Sequence, residues 1–128
     1  MGKEIKVGRA KSNINKRIAF SLSDYENLLL WRRRLDWKQM DAAAHFGVSV
    51  FIYKRIELGT AKFPEWKIPK IPKITDYEKC LLWRRRANRT QTQIAVSIGC
   101  SKYWIYLQEL GKVPCVQLYE YWDTKIKN

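Results

Sequence analysis

The chain has 128 residues, 29% of them charged and 13% aromatic, and a formal net charge of +13. That length allows one domain or two small ones. No apolar run approaches the roughly 20 residues of a membrane span, and the basic N-terminus lacks the apolar stretch of a signal peptide. The three cysteines, Cys80, Cys100 and Cys115, are odd in number and show no CxxC spacing, so free thiols in a reducing cytoplasm are expected. His45 is the single histidine, which argues against a zinc site. No Gly-rich phosphate loop and no nucleophile motif stands in the chain; no catalysis, metal or cofactor is expected.

Taken in chain order, residues 1–21 form a basic arm carrying a net +5, through Lys3, Lys6, Arg9, Lys11, Lys16 and Arg17. The stretch that follows, 22–59, is written a second time at 74–111 with a constant offset of 52, and 16 of its 38 positions are identical. A repeat of fixed period is one structural unit made twice. We therefore divide the chain into the arm (1–21), a first unit (22–60), a Pro- and Lys-rich linker (61–73) and a second unit with the tail (74–128). The expected fold class is all-α.

Within a unit the elements are readable one by one. Ser23-Asp24-Tyr25-Glu26 and Thr75-Asp76-Tyr77-Glu78 fit a capping box, in which hydroxyl and carboxylate satisfy each other's backbone N–H. Helices over about 24–35 and 76–87 should follow. Tyr25, Leu28, Leu29 and Arg32 fall on one helical stripe, as do Tyr77, Cys80, Leu81 and Arg84. An arginine on an apolar face needs a buried partner, because an unpaired buried charge is very costly. Glu57 and its counterpart Glu109 are the acids kept at the far end of both copies, so Arg32–Glu57 and Arg84–Glu109 are expected as structural ion pairs. Short helices over 39–46 and 91–98 come next, with Ala43 and Ala95 where a neighbouring helix must approach closely. Gly47 and Gly99 suit the left-handed position at a helix end. Ser49 and Ser101 then cap third helices over 50–57 and 102–109, closed by Gly59 and Gly111. Trp31 and Trp83 repeat with the core positions and read as packing residues.

The linker contains Pro64, Pro69 and Pro72. Fully extended, its thirteen residues would span on the order of 40 Å, against about 34–36 Å between successive major grooves on one DNA face. It could equally fold back; the sequence leaves this open. A last helix is expected over about 115–126.

Helix, three-residue turn with Gly, helix is the helix-turn-helix layout. The pattern Arg32, Gln39, Ala43, Gly47, Ser49, Glu57, Gly59, and again Arg84, Gln91, Ala95, Gly99, Ser101, Glu109, Gly111, resembles the phage repressor and Cro type of helix-turn-helix. The resemblance covers the two repeats. It implies duplex DNA as the partner, with the start of the third helix in the major groove: Val50, Phe51, Ile52 and Arg55 in the first copy, Lys102, Tyr103, Trp104 and Leu107 in the second. It also implies that Gln39 and Gln91 brace that helix and touch phosphate, and that Arg32–Glu57 and Arg84–Glu109 are structural. The family's fourth and fifth helices are largely missing after Gly59.

Two sources of positive charge fit a polyanion. Arm and linker hold +8 of the +13, and basic segments flanking compact units suit nucleic acid. A merely solubilising charge would intersperse both signs. Arg9 and Lys11 stand in the arm, which resembles arms that enter a neighbouring minor groove. Lys54 and Tyr106 follow the third-helix positions and could reach phosphates. Arg33, Arg34, Arg85 and Arg86 face away from the apolar stripe, as phosphate contacts or as a solvated face. The apolar third-helix residues depart from the family pattern, because base readout usually uses Arg, Asn, Gln or Ser and apolar groups read only thymine methyls. Phe51, Ile52 and Trp104 therefore have three readings: thymine-methyl contact, a protein interface, or core between packed units. The expected function is a DNA-binding transcriptional regulator of phage or bacterial origin, a monomer acting as a pseudo-dimer or a homodimer. The alternative is a protein-binding helix-turn-helix scaffold that inhibits a host defence or polymerase complex through its apolar third helices.

Overall fold

A computed structural model describes residues 21–127. Among them the regular structure is entirely helical. The helices are α1 (Asp24–Arg34), α2 (Gln39–Phe46), α3 (Val50–Leu58), α4 (Asp76–Arg86), α5 (Gln91–Ile98), α6 (Lys102–Leu110) and α7 (Val116–Lys127). The chain divides into two compact units, Met1–Pro69 and Lys70–Asn128.

The first unit starts on its capping box. Glu26 N donates to Ser23 Oγ at 3.3 Å, and Ser23 N donates to Glu26 Oε1 at 3.0 Å. Helix α1 ends where Asp36 turns left-handed at φ 60; Asn88, its counterpart at the same register, does so at φ 56. Asp and Asn tolerate that conformation best among residues with a Cβ, and the turn puts Trp37 back under α1. Helix α2 opens with Lys38 N donating to Asp41 Oδ2 at 2.9 Å. It closes on Gly47, φ 70, with Val48 N donating to Ala43 O, a six-to-one bond that satisfies an orphan carbonyl. Ser49 Oγ accepts from Ile52 N at 3.1 Å and so starts α3.

Leu28, Ala42, Ala43, Tyr53 and Ile56 make the buried centre of this unit. Trp31, Trp37, Phe46, Val48 and Val50 pack around it. So do Ala61, Phe63, Trp66 and Ile68, which corrects the expected boundary. The Pro-rich stretch is not a free linker from residue 61. Its first part is an extended strap on the unit's core. Trp66 stacks on Phe46 with centroids 3.9 Å apart and planes 10° from parallel, and Asn27 Nδ2 donates to Pro69 O at 3.0 Å. Pro64 and Pro69 keep the strap from becoming helical, since each lacks the N–H a helix interior uses. The expected 40 Å reach counted all thirteen residues; with the strap docked, the tether is shorter.

The second unit repeats the design with its own capping box, Glu78 N to Thr75 Oγ1 at 3.3 Å and Thr75 N to Glu78 Oε1 at 2.9 Å. Thr90 and Gln93 form another at the start of α5. Its buried centre is Cys80, Ile94, Ala95, Ile105, Leu118 and Trp122. Here a helix covers the core where the first unit uses the strap. Leu118 stands 52 residues after Trp66, and each packs on the core of its own unit. One buried side chain accompanies the difference. Gln108, where the first unit has Ile56, accepts from Leu118 N at 3.1 Å through Oε1, within the first turn of α7. Its Nε2 donates to Trp104 O and to Gln117 Oε1.

Candidate nucleic-acid interface

The third helix of each unit has two faces. In α3, Tyr53, Ile56 and Glu57 are buried, while Phe51, Ile52, Lys54 and Arg55 are exposed. In α6, Ile105, Gln108 and Glu109 are buried, while Lys102, Tyr103, Trp104 and Tyr106 are exposed. The spacing i, i+3, i+4 of the buried set leaves the intervening positions on the outer side.

The buried carboxylate ties the back of each third helix to the other two. Arg32 Nε donates to Glu57 Oε2 at 2.7 Å and Arg32 Nη2 to Oε1 at 3.1 Å. Gln39 Nε2 donates to Oε1 at 2.9 Å, and the Tyr53 hydroxyl to Oε2 at 2.8 Å. Arg32 Nη1 reaches Trp37 O at 2.7 Å. Helices α1, α2 and α3 therefore meet at one acid that is 1% exposed. Burial, with the Glu57 carboxylate beside it, pushes the Tyr53 phenol well above its usual range, which keeps it a donor. The second unit repeats the arrangement. Arg84 Nε and Nη2 donate to Glu109 at 2.6 and 3.0 Å, Gln91 Nε2 at 2.9 Å, and Arg84 Nη1 reaches Arg89 O at 3.0 Å. Ile105 stands where Tyr53 does and brings no hydroxyl. A bidentate arginine fork adds geometric constraint as well as energy, so this lattice holds the direction of the third helix.

The expected site residues are not all brought together. Phe51, Ile52, Lys54 and Arg55 share the outer side of α3, and Arg55 carries its guanidinium carbon 5.8 Å from the Phe51 ring centroid. Val50, expected at the interface, is instead half-buried against the core. It is the first residue after the cap, and the helical period places it on the side of the buried Tyr53 and Glu57, three and seven residues on. Lys102, Tyr103, Trp104 and Tyr106 share the outer side of α6, with the rings of Tyr103 and Tyr106 stacked 6.1 Å apart; Leu107 is half-buried. Gln39 and Gln91 each turn an amide N–H inward to the glutamate. Arg9 and Lys11 lie outside the described residues.

Phe51 is 69% exposed, Ile52 46%, Tyr103 65% and Trp104 39%, so none of them belongs to the core of its own unit. Two features of the face went unread in the sequence. The Phe51–Arg55 contact was signalled by an aromatic and an arginine at i, i+4. The Tyr103–Tyr106 stack was signalled by two tyrosines at i, i+3.

Among the described residues, no group of three His, Cys, Asp or Glu side chains is placed to hold a metal ion, and no helix is long and apolar enough to cross a membrane. No protein-family model matches the chain, and no curated protein or solved structure matches it. The reading of function therefore rests on the residues and their geometry.

Proposed function

We propose that the protein is a sequence-selective duplex-DNA-binding regulator of a phage or bacterial promoter, using two helix-turn-helix units of the repressor and Cro kind. One observation carries the reading. In both units the third helix is locked from behind by a buried glutamate, while its front is bare and carries groups suited to bases and phosphates. Such a helix is a preorganised reader, whose entropy of ordering is met on folding rather than on binding. Arg55 has the fork that suits a guanine edge, Phe51, Ile52 and Trp104 suit thymine methyls, and Lys54, Lys102 and the tyrosine hydroxyls suit phosphates.

The test is a gel shift with pooled random duplexes at two salt concentrations, followed by selection from the pool. The reading expects a subset of duplexes held well above bulk DNA, with affinity falling steeply as salt rises. If no duplex is preferred over bulk, the reading is wrong.

The same exposed rings favour a second reading. Phe51, Ile52, Tyr103 and Trp104 are the kind of aromatic and aliphatic anchors that dominate protein interfaces, and the protein would then be a scaffold that grips a partner. Loss of all sequence preference in the selection, with Phe51 and Trp104 needed for a protein complex, would establish it instead.

A further inference from the structure

On the outer side of α3, Phe51 and Arg55 stand one helical turn apart, both exposed, with the guanidinium carbon 5.8 Å from the ring centroid. A guanidinium over an aromatic face is held there by the ring quadrupole. The contact therefore orients a fork that would otherwise sample many rotamers. In the major groove that fork complements guanine O6 and N7. The ring beside it has no donor or acceptor. Its complement on a base edge is the pyrimidine 5-methyl group, which thymine carries and cytosine lacks. An ordinary G·C pair offers no methyl, so the methyl must come from the neighbouring pair. Pairs stack about 3.4 Å apart, and two groups 5.8 Å apart can address adjacent ones.

We propose that Phe51 and Arg55 act as one reading unit for a guanine next to a pyrimidine 5-methyl group in duplex DNA, thymine or 5-methylcytosine. This rests on the DNA-binding reading above and names what the first unit selects. The second unit has Tyr103 and Leu107 at the matching positions, so only one half of the bound site carries the step.

The full chain is first used to select a duplex from a random pool. Synthetic versions of that duplex then carry, at the pyrimidine beside the guanine whose preference Arg55→Ala removes, thymine, deoxyuridine, cytosine or 5-methylcytosine. Deoxyuridine differs from thymine by the methyl alone and should bind about fourfold more weakly, the effect of one buried methyl. Methylation of cytosine there should restore a factor of the same size. Phe51→Ala, at a position 69% exposed and hence without a core role, should abolish both differences and weaken the guanine preference, which Arg55→Ala removes altogether. A selected duplex whose binding ignores the methyl overturns this inference alone. A pool in which nothing is selected overturns the DNA reading and this inference together.

Discussion

Glu57 and Glu109 are each the point where three helices are joined, and their energetics are those of a buried acid held by an arginine fork and a glutamine amide. Removing one partner of such a pair leaves the other charge uncompensated, at about 3–5 kcal/mol. Glu57→Ala should therefore lower the thermal midpoint sharply, measured by circular dichroism. If the variant melts like the parent but loses DNA binding, the residue is a contact and not a strut. The glycines that end the helices separate two effects of one residue type. A Cβ on Gly47 would meet nothing within 4 Å, whereas one on Gly59 would sit 2.8 Å from Tyr25 Cζ. Both positions have positive φ, so alanine at either carries the left-handed penalty of about 1–2 kcal/mol. Gly59→Ala should cost clearly more than Gly47→Ala in urea unfolding, because the Tyr25 ring must also move. Equal losses would mean that Tyr25 yields freely.

At the scale of elements, the helices and their caps were readable because their signals are local. Ser23 with Glu26, Ser49 and Gly47 each state a boundary within a few residues. The Arg32–Glu57 and Arg84–Glu109 pairs were readable because an arginine on an apolar stripe demands an acid, and the repeat supplied one in each copy. The strap was not readable as core. Ala61, Phe63, Trp66 and Ile68 are apolar, but the prolines among them removed any helical period, and extended chain packs by tertiary contact rather than by pattern. Gln108 was equally silent, since its hydrogen bond to Leu118 N exists only once α7 docks. Two outcomes follow. Trp66→Ala should destabilise the first unit toward the lower end of the ~3–5 kcal/mol typical of a large aromatic removed from a core, a change a free linker would not feel; an unaltered urea midpoint would return the segment to linker status. Gln108→Ala should free the Leu118 amide and loosen the start of α7, seen as faster hydrogen exchange there than in α5. Unchanged exchange at Leu118 would show that water caps the helix as well.

At the scale of the whole molecule, the excess charge and the proposed reading residues lie in different stretches of the sequence. The arm and residues 60–73 hold +8 of the +13, while the outer sides of α3 and α6 hold the groups that can distinguish bases. Deleting residues 1–17 should weaken binding to all duplexes alike and flatten the salt dependence by roughly 0.9 for each phosphate no longer neutralised; a changed sequence preference would make the arm a reader. The two proposed reading sides differ in kind. The first offers Phe51, Ile52 and Arg55, the second Lys102, Tyr103 and Trp104, so a single chain using both needs a bipartite site without symmetry. Footprinting of the selected duplex, with the protein-to-DNA ratio measured on the same complex, decides whether that is so. The expected result is one chain protecting two dissimilar half-sites, with Arg55→Ala relaxing base choice in one and Lys102→Ala weakening the other. A symmetric palindrome protected by two chains would contradict it.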